Sequence, residues 1–157
     1  MLVNFEEDLN KGKRGERIVM EVFSSLAPGY EFEDVSDNPL YYDKGDIKVI
    51  AEDGTEIFIE VKNDERIGQT RNLLCEEEVT YYSGYCQKGF MHNDHEIFCV
   101  VSEPEKKIYV IDFSILKGIY RKGQWKVLKY SAQESECYLL PLGILKRHGG
   151  LIAAIDF

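Results

Sequence analysis

Apolar residues follow a helical period near the start of the chain. Between Asp8 and Leu26 they recur three and four positions apart, at Ile18, Val19, Val22, Phe23 and Leu26. This spacing places them on one face of a helix, and Ala27-Pro28-Gly29 ends the pattern. The sequence therefore predicts an amphipathic helix over residues 8–26.

Strand patterns dominate the rest of the chain. Tyr30–Val35 alternates between polar and apolar residues, and two runs rich in isoleucine and valine follow at Asp46–Ala51 and Glu56–Lys62. Ser114 is a candidate N-cap for a short helix that ends near Tyr120. Four more strands are predicted, at Ile97–Ser102, Ile108–Phe113, Trp125–Tyr130 and Cys137–Leu142. This order of elements predicts one α/β domain over residues 1–157, with a central mixed β-sheet flanked by helices.

The two isoleucine- and valine-rich runs form a predicted hairpin with two competing registers. A two-residue Asp53-Gly54 turn would place Asp46 opposite Val61. A three-residue loop that adds Glu52, with Gly54 in the left-handed conformation, would place Asp46 opposite Glu60. Only this second register gathers five aliphatic side chains on one face, namely Ile47, Val49, Ile57, Ile59 and Val61. The other face then carries Asp46, Lys48, Phe58, Glu60 and Lys62.

Opposed carboxylates suggest a chemistry for this hairpin. Directly opposite residues on antiparallel strands have Cβ atoms about 4.5–5.5 Å apart, so Asp46 and Glu60 could share one hard divalent cation. Lys62 lies on their face, where an ammonium can orient or help deprotonate a water and stabilise charge on a phosphate. A solvated surface of mixed acids and lysines is the alternative that these residues leave open.

The same residues resemble a known motif. Gly45-Asp46, thirteen intervening residues and Glu60-Val61-Lys62 look like the core signature of the PD-(D/E)XK nuclease superfamily. The preceding segment Lys11–Arg17 resembles the helical acid motif of that superfamily, so the resemblance covers residues 8–62.

The resemblance implies a restriction-endonuclease-like core and a role for each matching residue. Asp46, Glu60 and the backbone carbonyl of Val61 would hold Mg²⁺ or Mn²⁺. Lys62 would act on the attacking water, and Glu16 would complete the site.

The match to the motif departs from the family pattern in places. Gly45 stands where the motif nominally has proline, and Asp43 offers a competing carboxylate three residues before Asp46. Further on, Thr70–Glu76 is similar to a strand segment of small phage- and plasmid-type members, with Arg71 where glycine is more usual. That similarity favours a strand over Asn72–Val79, whose pattern alone fits helix or strand, and leaves Glu76 as a minor site candidate.

Composition excludes several other classes of protein. With 44% hydrophobic and 30% charged residues the chain is neither a fibre nor a disordered tail. Its apolar runs are far shorter than the roughly 18 residues of a membrane span, and the acidic first ten residues do not resemble a signal peptide. The four cysteines form no C-x-x-C pair. We expect a cytoplasmic protein with reduced, mostly buried cysteines.

The net charge of −9 argues against a nucleic-acid partner unless it is unevenly distributed. Residues 31–65 hold twelve acids against three lysines, an excess that equals the whole net charge. Basic residues cluster on either side of this segment, first at Lys11, Lys13, Arg14 and Arg17, then at Lys117, Arg121, Lys122, Lys126 and Lys129. Solvated faces are the alternative for both clusters. The nuclease interpretation assigns both clusters to DNA phosphates and ranks the first one higher, because the same helix carries Glu16.

The remaining signals are weaker. His92 and His95 flank turn residues and have no cysteine at zinc-ligand spacing, so they predict a loop pair and not a metal site. Trp125 and the tyrosines of Tyr81–Tyr85 could stack on bases, although core packing is the simpler role. The sequence contains no P-loop, G-x-S-x-G or G-x-G-x-x-G motif.

These observations predict a magnesium- or manganese-dependent deoxyribonuclease. It would hydrolyse DNA phosphodiester bonds through a metal-activated water, without a covalent intermediate. DNA is the expected partner, no membrane contact is expected, and a homodimer is left open. The alternative is a nuclease-like fold that only binds DNA or protein, and the intact Asp46, Glu60 and Lys62 favour catalysis.

Overall fold

The chain has a mixed α/β architecture in a computed structural model that describes residues 5–80, 83–121, 126–130 and 134–157. Its helices and strands, in chain order, are α1 (Phe5–Leu26), β1 (Glu31–Asp34), β2 (Ile47–Ile50), β3 (Glu56–Asn63), α2 (Ile67–Thr70), β4 (Asn72–Thr80), β5 (Cys86–Lys88), β6 (Ile97–Ser102), β7 (Lys107–Asp112), α3 (Phe113–Ile119), β8 (Lys126–Tyr130), β9 (Glu134–Pro141), α4 (Leu142–Arg147) and β10 (Leu151–Asp156). Short 3₁₀ turns lie at Pro39–Tyr41 and Phe90–His92. None of the described helices is long and apolar enough to cross a membrane.

The described strands form two sheets. The central sheet has the order β1-β2-β3-β6-β7-β10, and it is mixed because β3 and β6 run parallel while its other neighbours are antiparallel. The second sheet is antiparallel, with the order β5-β4-β9-β8. The central mixed sheet and its flanking helices confirm the predicted fold class. The second sheet was not predicted.

Both faces of the central sheet are covered. Alternate residues of β6 belong to different core clusters, with Cys99 and Val101 on the α1 side and Phe98 and Val100 on the other side. The second cluster also contains residues of α3, α4 and the second sheet. Because β6 is buried on both faces, it reads as a continuous apolar run and not as an alternating one.

The hairpin of β2 and β3 has the predicted three-residue register. Ile47 pairs with Ile59 and Lys48 with Phe58. Ala51 N donates to Thr55 O at 2.8 Å, and Gly54 takes a φ of +84°, which glycine adopts without strain. The predicted aliphatic face packs under α1.

Several predicted boundaries are corrected. Helix α1 starts three residues earlier than predicted, where acids in its first turn favour a helix N-terminus. Ser114 is the wrong N-cap for α3, because the Asp112 side chain accepts the bond from Ile115 N. Leu142 starts α4 and is not part of a strand. Four elements were not predicted, namely α2, β5, α4 and β10.

Other predictions concern single residues. The strand over residues 72–79 is confirmed by β4. Cys75, Cys99 and Cys137 are buried free thiols, as expected, whereas Cys86 is exposed. Trp125, Tyr81, Tyr82 and Lys122 lie outside the described residues, so the base-stacking and basic-cluster predictions for them stay predictions.

Candidate active site

The hairpin brings the two predicted carboxylates to one cleft. The paired register of β2 and β3 ends at Ile47 and Ile59, and Asp46 N donates to Ile59 O at 2.9 Å, one residue out of that register. Val61 N donates to Asp46 Oδ2 at 2.8 Å and holds that side chain in place. Glu60 is only 7% exposed. Asp43, the competing carboxylate, is exposed and lines none of the clefts around Glu60.

Gly45 has a backbone reason to be glycine. Its φ is +140°, and a Cβ built on it would lie 2.8 Å from Ile59 O, a contact that real Cβ atoms do not make. Proline, whose ring fixes φ near about −65°, could not adopt this conformation. The departure from the nominal proline therefore suits the path of this chain into Asp46.

Gly45→Ala is expected to destabilise the fold by about 2–4 kcal/mol, through a forbidden φ and a clash with backbone. Gly12→Ala, in α1, is the matched control, because a Cβ there meets nothing within 4 Å. A helix interior gains up to about 1 kcal/mol from this change. Urea unfolding of the two variants measures the contrast, and equal stabilities would contradict the backbone argument.

Glu16 reaches the site from α1. Gly15 lets the helix approach β3, since a Cβ there would lie 3.2 Å from Asn63 Cβ. Glu16 is 8% exposed, accepts a bond from Ser36 Oγ at 3.1 Å and lies 3.4 Å from Lys13 Nζ. Burial, and then the negative charge of Asp46, raises the pKa of Glu16 to about 7, although Lys13 opposes the change. The helical acid therefore belongs to the same electrostatic unit as the hairpin pair.

Lys62 follows Glu60 on β3 with its Nζ 3.5 Å from Glu60 Oε1. Burial alone would lower the pKa of Lys62, but the charges of Glu60, Glu76 and Asp46 outweigh it and raise that pKa. Burial and the charge of Asp46 raise the pKa of Glu60 to about 8. Burial also raises the pKa of Asp46, against the opposing effects of Lys62 and the Val61 N–H. Lys62 thus keeps its proton, and ionisation of the carboxylates is costly.

Lys62 lines three clefts of the described surface. The carboxylate cleft, about 170 Å³, is also lined by Asp46, Glu60 and Glu76. The α1 cleft, about 340 Å³, adds Glu16 and Val61, and an apolar cleft of about 450 Å³ extends toward the second sheet. Each of the predicted catalytic residues Glu16, Asp46 and Glu60 therefore lines a cleft that Lys62 also lines.

Glu76 lies closer to the candidate site than its sequence context indicated. Strand β4 brings it, half-buried, into the carboxylate cleft, and its charge raises the pKa of both Lys62 and Glu60. In the pairing of β4 with β9, Glu76 stands opposite Cys137. The strand similarity at Thr70–Glu76 was the available signal.

The donor set fits a hard divalent cation. Two buried carboxylates and a neighbouring backbone carbonyl are oxygen ligands of the kind that Mg²⁺ takes, and a cation would offset the cost of ionising them. Among the described residues no group of three or more His, Cys, Asp or Glu side chains is placed to hold a metal ion. The predicted ligand set therefore depends on the Val61 carbonyl as its third member.

The two histidines do not form a site together. His92 Nε2 lies 2.7 Å from Glu77 Oε2. His95 is buried, with its ring centre 3.7 Å from that of Phe113 in a stacked arrangement. The prediction that they do not bind zinc as a pair agrees with this separation of partners.

Three of the four basic residues of α1 are ion-paired with acids of the same molecule. Lys11 Nζ lies 3.3 Å from Glu65, Lys13 Nζ 3.0 Å from Asp37, and the Arg14 guanidinium makes two bonds of 3.0 and 3.1 Å to Glu103. Arg17 is exposed and has no ion pair in the described part of the chain.

In the second basic cluster, Lys117 and Arg121 are exposed. Lys122 and the side chains of Lys126 and Lys129 lie outside the described structure. The cluster is therefore represented by two cations near the C-terminal end of α3.

Glu16 is expected to couple folding to pH. Its folded pKa of about 7 exceeds the ordinary value of 4.5, so the folded state holds the proton more tightly. The stability from this group is complete below pH 4.5 and is lost as the pH rises through 7. At about 1.4 kcal/mol per pKa unit the loss is on the order of 3 kcal/mol.

Glu16→Gln tests this coupling in EDTA. Its unfolding free energy relative to wild type should rise by on the order of 3 kcal/mol between pH 5 and pH 8, because the variant has no carboxylate to ionise. Glu21→Gln controls for removing an exposed carboxylate from the same helix. If the difference in unfolding free energy between Glu16→Gln and wild type stays constant from pH 5 to pH 8, the burial of Glu16 is contradicted.

The molecule is thus a mixed α/β protein with an acid- and lysine-lined candidate site on its central hairpin. No known protein family matches the sequence. No curated protein matches it either. One similar solved structure is that of a bacterial homing endonuclease, I-Ssp6803I, with 14% identity and a TM-score of 0.47. The match covers 83% of this chain and 72% of that one.

Proposed function

We propose that this protein is a metal-dependent nuclease that hydrolyses phosphodiester bonds of DNA. The observation that carries the proposal is the cleft lined by Asp46, Glu60 and Lys62, with the ammonium 3.5 Å from Glu60 Oε1. The order of helix, hairpin strand and Glu-x-Lys strand also supports membership of the PD-(D/E)XK superfamily. The site residues are then Glu16, Asp46, Glu60 and Lys62.

Asp46, Glu60 and the Val61 carbonyl are the proposed ligands of Mg²⁺ or Mn²⁺. When bound, the cation would supply positive charge to the phosphate and lower the pKa of a water. The protein's part is to hold the ligands in position. The Val61 N–H fixes Asp46, and the pairing of β3 with β6 fixes the backbone of Glu60.

Lys62 and Glu16 have separate roles in this proposal. A protonated Lys62 donates hydrogen bonds to the water and to a phosphate oxygen, and it stabilises the charge that develops there. Glu16, with a pKa of about 7, accepts the proton of the attacking water. The water oxygen forms a bond to phosphorus, the bond to the leaving oxygen breaks, and solvent protonates that oxygen.

The proposed DNA face includes Lys11, Lys13, Arg14 and Arg17 on α1, the helix that carries Glu16. Phosphates would replace the acidic partners of the first three, which are exposed or half-buried on the surface. Exposed ion pairs typically contribute only about 0–1 kcal/mol to stability, so replacing an acidic partner by a phosphate costs little.

A cleavage panel tests the proposed function. Linear, nicked, branched and single-stranded DNA are incubated with the protein in Mg²⁺ or Mn²⁺, with EDTA as the metal-free control. Cleavage of at least one substrate that stops in EDTA is expected. DNA binding without cleavage of any substrate would favour the non-catalytic DNA-binding alternative. The net charge of −9 and the ion-paired cations of α1 favour the protein-binding form of that alternative, which absence of DNA binding would support.

A further inference from the structure

A second lysine borders the carboxylate cleft from the opposite sheet. Lys88 ends β5 and lines this cleft together with Asp46, Glu60 and Lys62. It is exposed, and none of the ion pairs found among the described residues includes it. Its cross-strand neighbour is Glu78, and the two side chains are not joined in an ion pair. Lys88 therefore offers a positive charge beside the candidate site.

Lys117 stands next to the same part of the cleft. Its Nζ donates to the backbone carbonyl of Asn93 at 2.9 Å and lies 4.7 Å from the centre of the Phe113 ring. Asn93 itself lines the carboxylate cleft with Lys88. Because the acceptor is a neutral carbonyl, this hydrogen bond pairs the ammonium of Lys117 with no acid. We refer to Lys88, Asn93 and Lys117 as the β5 rim.

Neighbouring aromatic rings place Lys117 and Lys62 on one side of the molecule. Lys62 Nζ lies 5.4 Å from the centre of the Phe90 ring, and that centre lies 6.5 Å from the centre of the Phe113 ring beside Lys117. Burial is the main cause of the lowered pKa of His95, and the charges of Lys117 and Lys62 both add to it. One buried ring therefore feels both ammonium groups. The cations of the β5 rim belong to the electrostatic field of the candidate site.

DNA must displace an acidic partner to contact three of the basic residues of α1, but not to contact the lysines of the β5 rim. Lys11, Lys13 and Arg14 each have an acidic partner that a phosphate has to replace. Lys88 and Lys117 have no such partner in the described structure. Acids do lie near the rim, at Glu76, Glu78 and Asp94, but a phosphate contact to its lysines breaks no existing ion pair.

We infer that the β5 rim is a second phosphate-binding surface, and that the DNA backbone crosses the carboxylate cleft between α1 and this rim. Lys88 and Lys117 would contact phosphates on the far side of the scissile one from α1. The inference rests on the proposed function, because it takes the carboxylate cleft as the place of the scissile phosphate. In this arrangement both sheets of the fold contribute to DNA binding.

The test measures DNA binding as a function of salt. Labelled duplex DNA is titrated by fluorescence anisotropy in Ca²⁺, over a range of potassium chloride concentrations. Each lost phosphate contact lowers the slope of log affinity against log salt by about 0.9. The double variant Lys88→Ala/Lys117→Ala should therefore lose about 1.8 from that slope and bind at least about tenfold more weakly at low salt.

Two further variants separate a specific contact from net charge and from misfolding. Lys146→Ala/Arg147→Ala removes two exposed cations of α4 that line none of the three clefts, and it should keep the wild-type slope. Lys88→Arg/Lys117→Arg keeps both charges and should keep most of the binding. Equal losses in the β5 and α4 alanine variants, or a wild-type slope in the β5 variant, would overturn the inference.

The failure of the inference can be told apart from the failure of the proposed function. If wild-type protein binds DNA and the β5 variant binds it equally well, only the β5 rim is wrong. If wild-type protein neither binds nor cleaves DNA at low salt with metal present, the nuclease proposal falls and the rim falls with it.

Discussion

Lys62→Ala is expected to lower the DNA cleavage rate by about 10²–10⁴-fold while the fold and most of the Mg²⁺ affinity remain. The ammonium is 3.5 Å from Glu60 and is not a metal ligand. Its removal takes away the charge that positions the water and stabilises the phosphate. Single-turnover cleavage of whichever substrate the panel identifies measures the rate, and calorimetry measures Mg²⁺ binding.

Lys48→Ala is the matched control for Lys62→Ala. Lys48 belongs to the same hairpin and the same face, but it pairs with Glu56 at 3.1 Å and lines none of the three clefts. Its removal should leave cleavage close to the wild-type rate. A Lys62→Ala protein that cleaves as fast as wild type would contradict the mechanism even if the metal site were real.

Asp46→Asn and Glu60→Gln should each weaken Mg²⁺ binding at least about tenfold and abolish most cleavage, because each replaces a charged ligand by a neutral amide of the same shape. Calorimetry at pH 8 with Mg²⁺ or Mn²⁺ measures the loss. Glu56→Gln, on the exposed start of β3, is the control and should bind like wild type. Equal binding in all four proteins would remove the metal site from this hairpin.

The metal-free stability of Glu60→Gln gives an independent check on folding. Because burial and Asp46 raise the pKa of Glu60 to about 8, the wild-type carboxylate is costly to ionise. The variant should therefore be as stable as wild type, or more stable, at pH 8 in EDTA. Lost metal binding in a stable protein shows that a ligand has been removed and not that the protein has unfolded.

Local patterns predicted the centre of this molecule well. The register of β2 and β3 followed from sequence, because a shift by one residue would have sent the aliphatic side chains to the wrong face, and Gly54 suits the loop of the correct register. The same argument predicts Asp46 opposite Glu60. The regular pairing ends one residue earlier, and the two carboxylates line one cleft. These features depend on residues within about fifteen positions of one another, where periodicity and turn chemistry act directly.

Sequence periodicity did not predict the short elements that lack a strong period of their own. Strand β5 is three polar or thiol-bearing residues, Cys86–Lys88, and it exists because β4 offers it a hydrogen-bonding edge. Strand β10 alternates between half-buried and exposed residues with alanines at its centre, and it is held by the edge of β7. In both cases the partner strand decides the conformation, since the local preference is weak.

Short-range spacing specifies the first helix, the hairpin and the grouping of Asp46, Glu60 and Lys62, because periodicity and turn chemistry act between residues close in the chain. Long-range packing sets the surroundings of that core. Pairing of β4 with β9 places Glu76 near Lys62, and the end of β5 places Lys88 at the same cleft. Surface acids from distant segments form ion pairs with the cations of α1. Such contacts join residues far apart in the chain, and they form because buried apolar faces of both sheets must pack together.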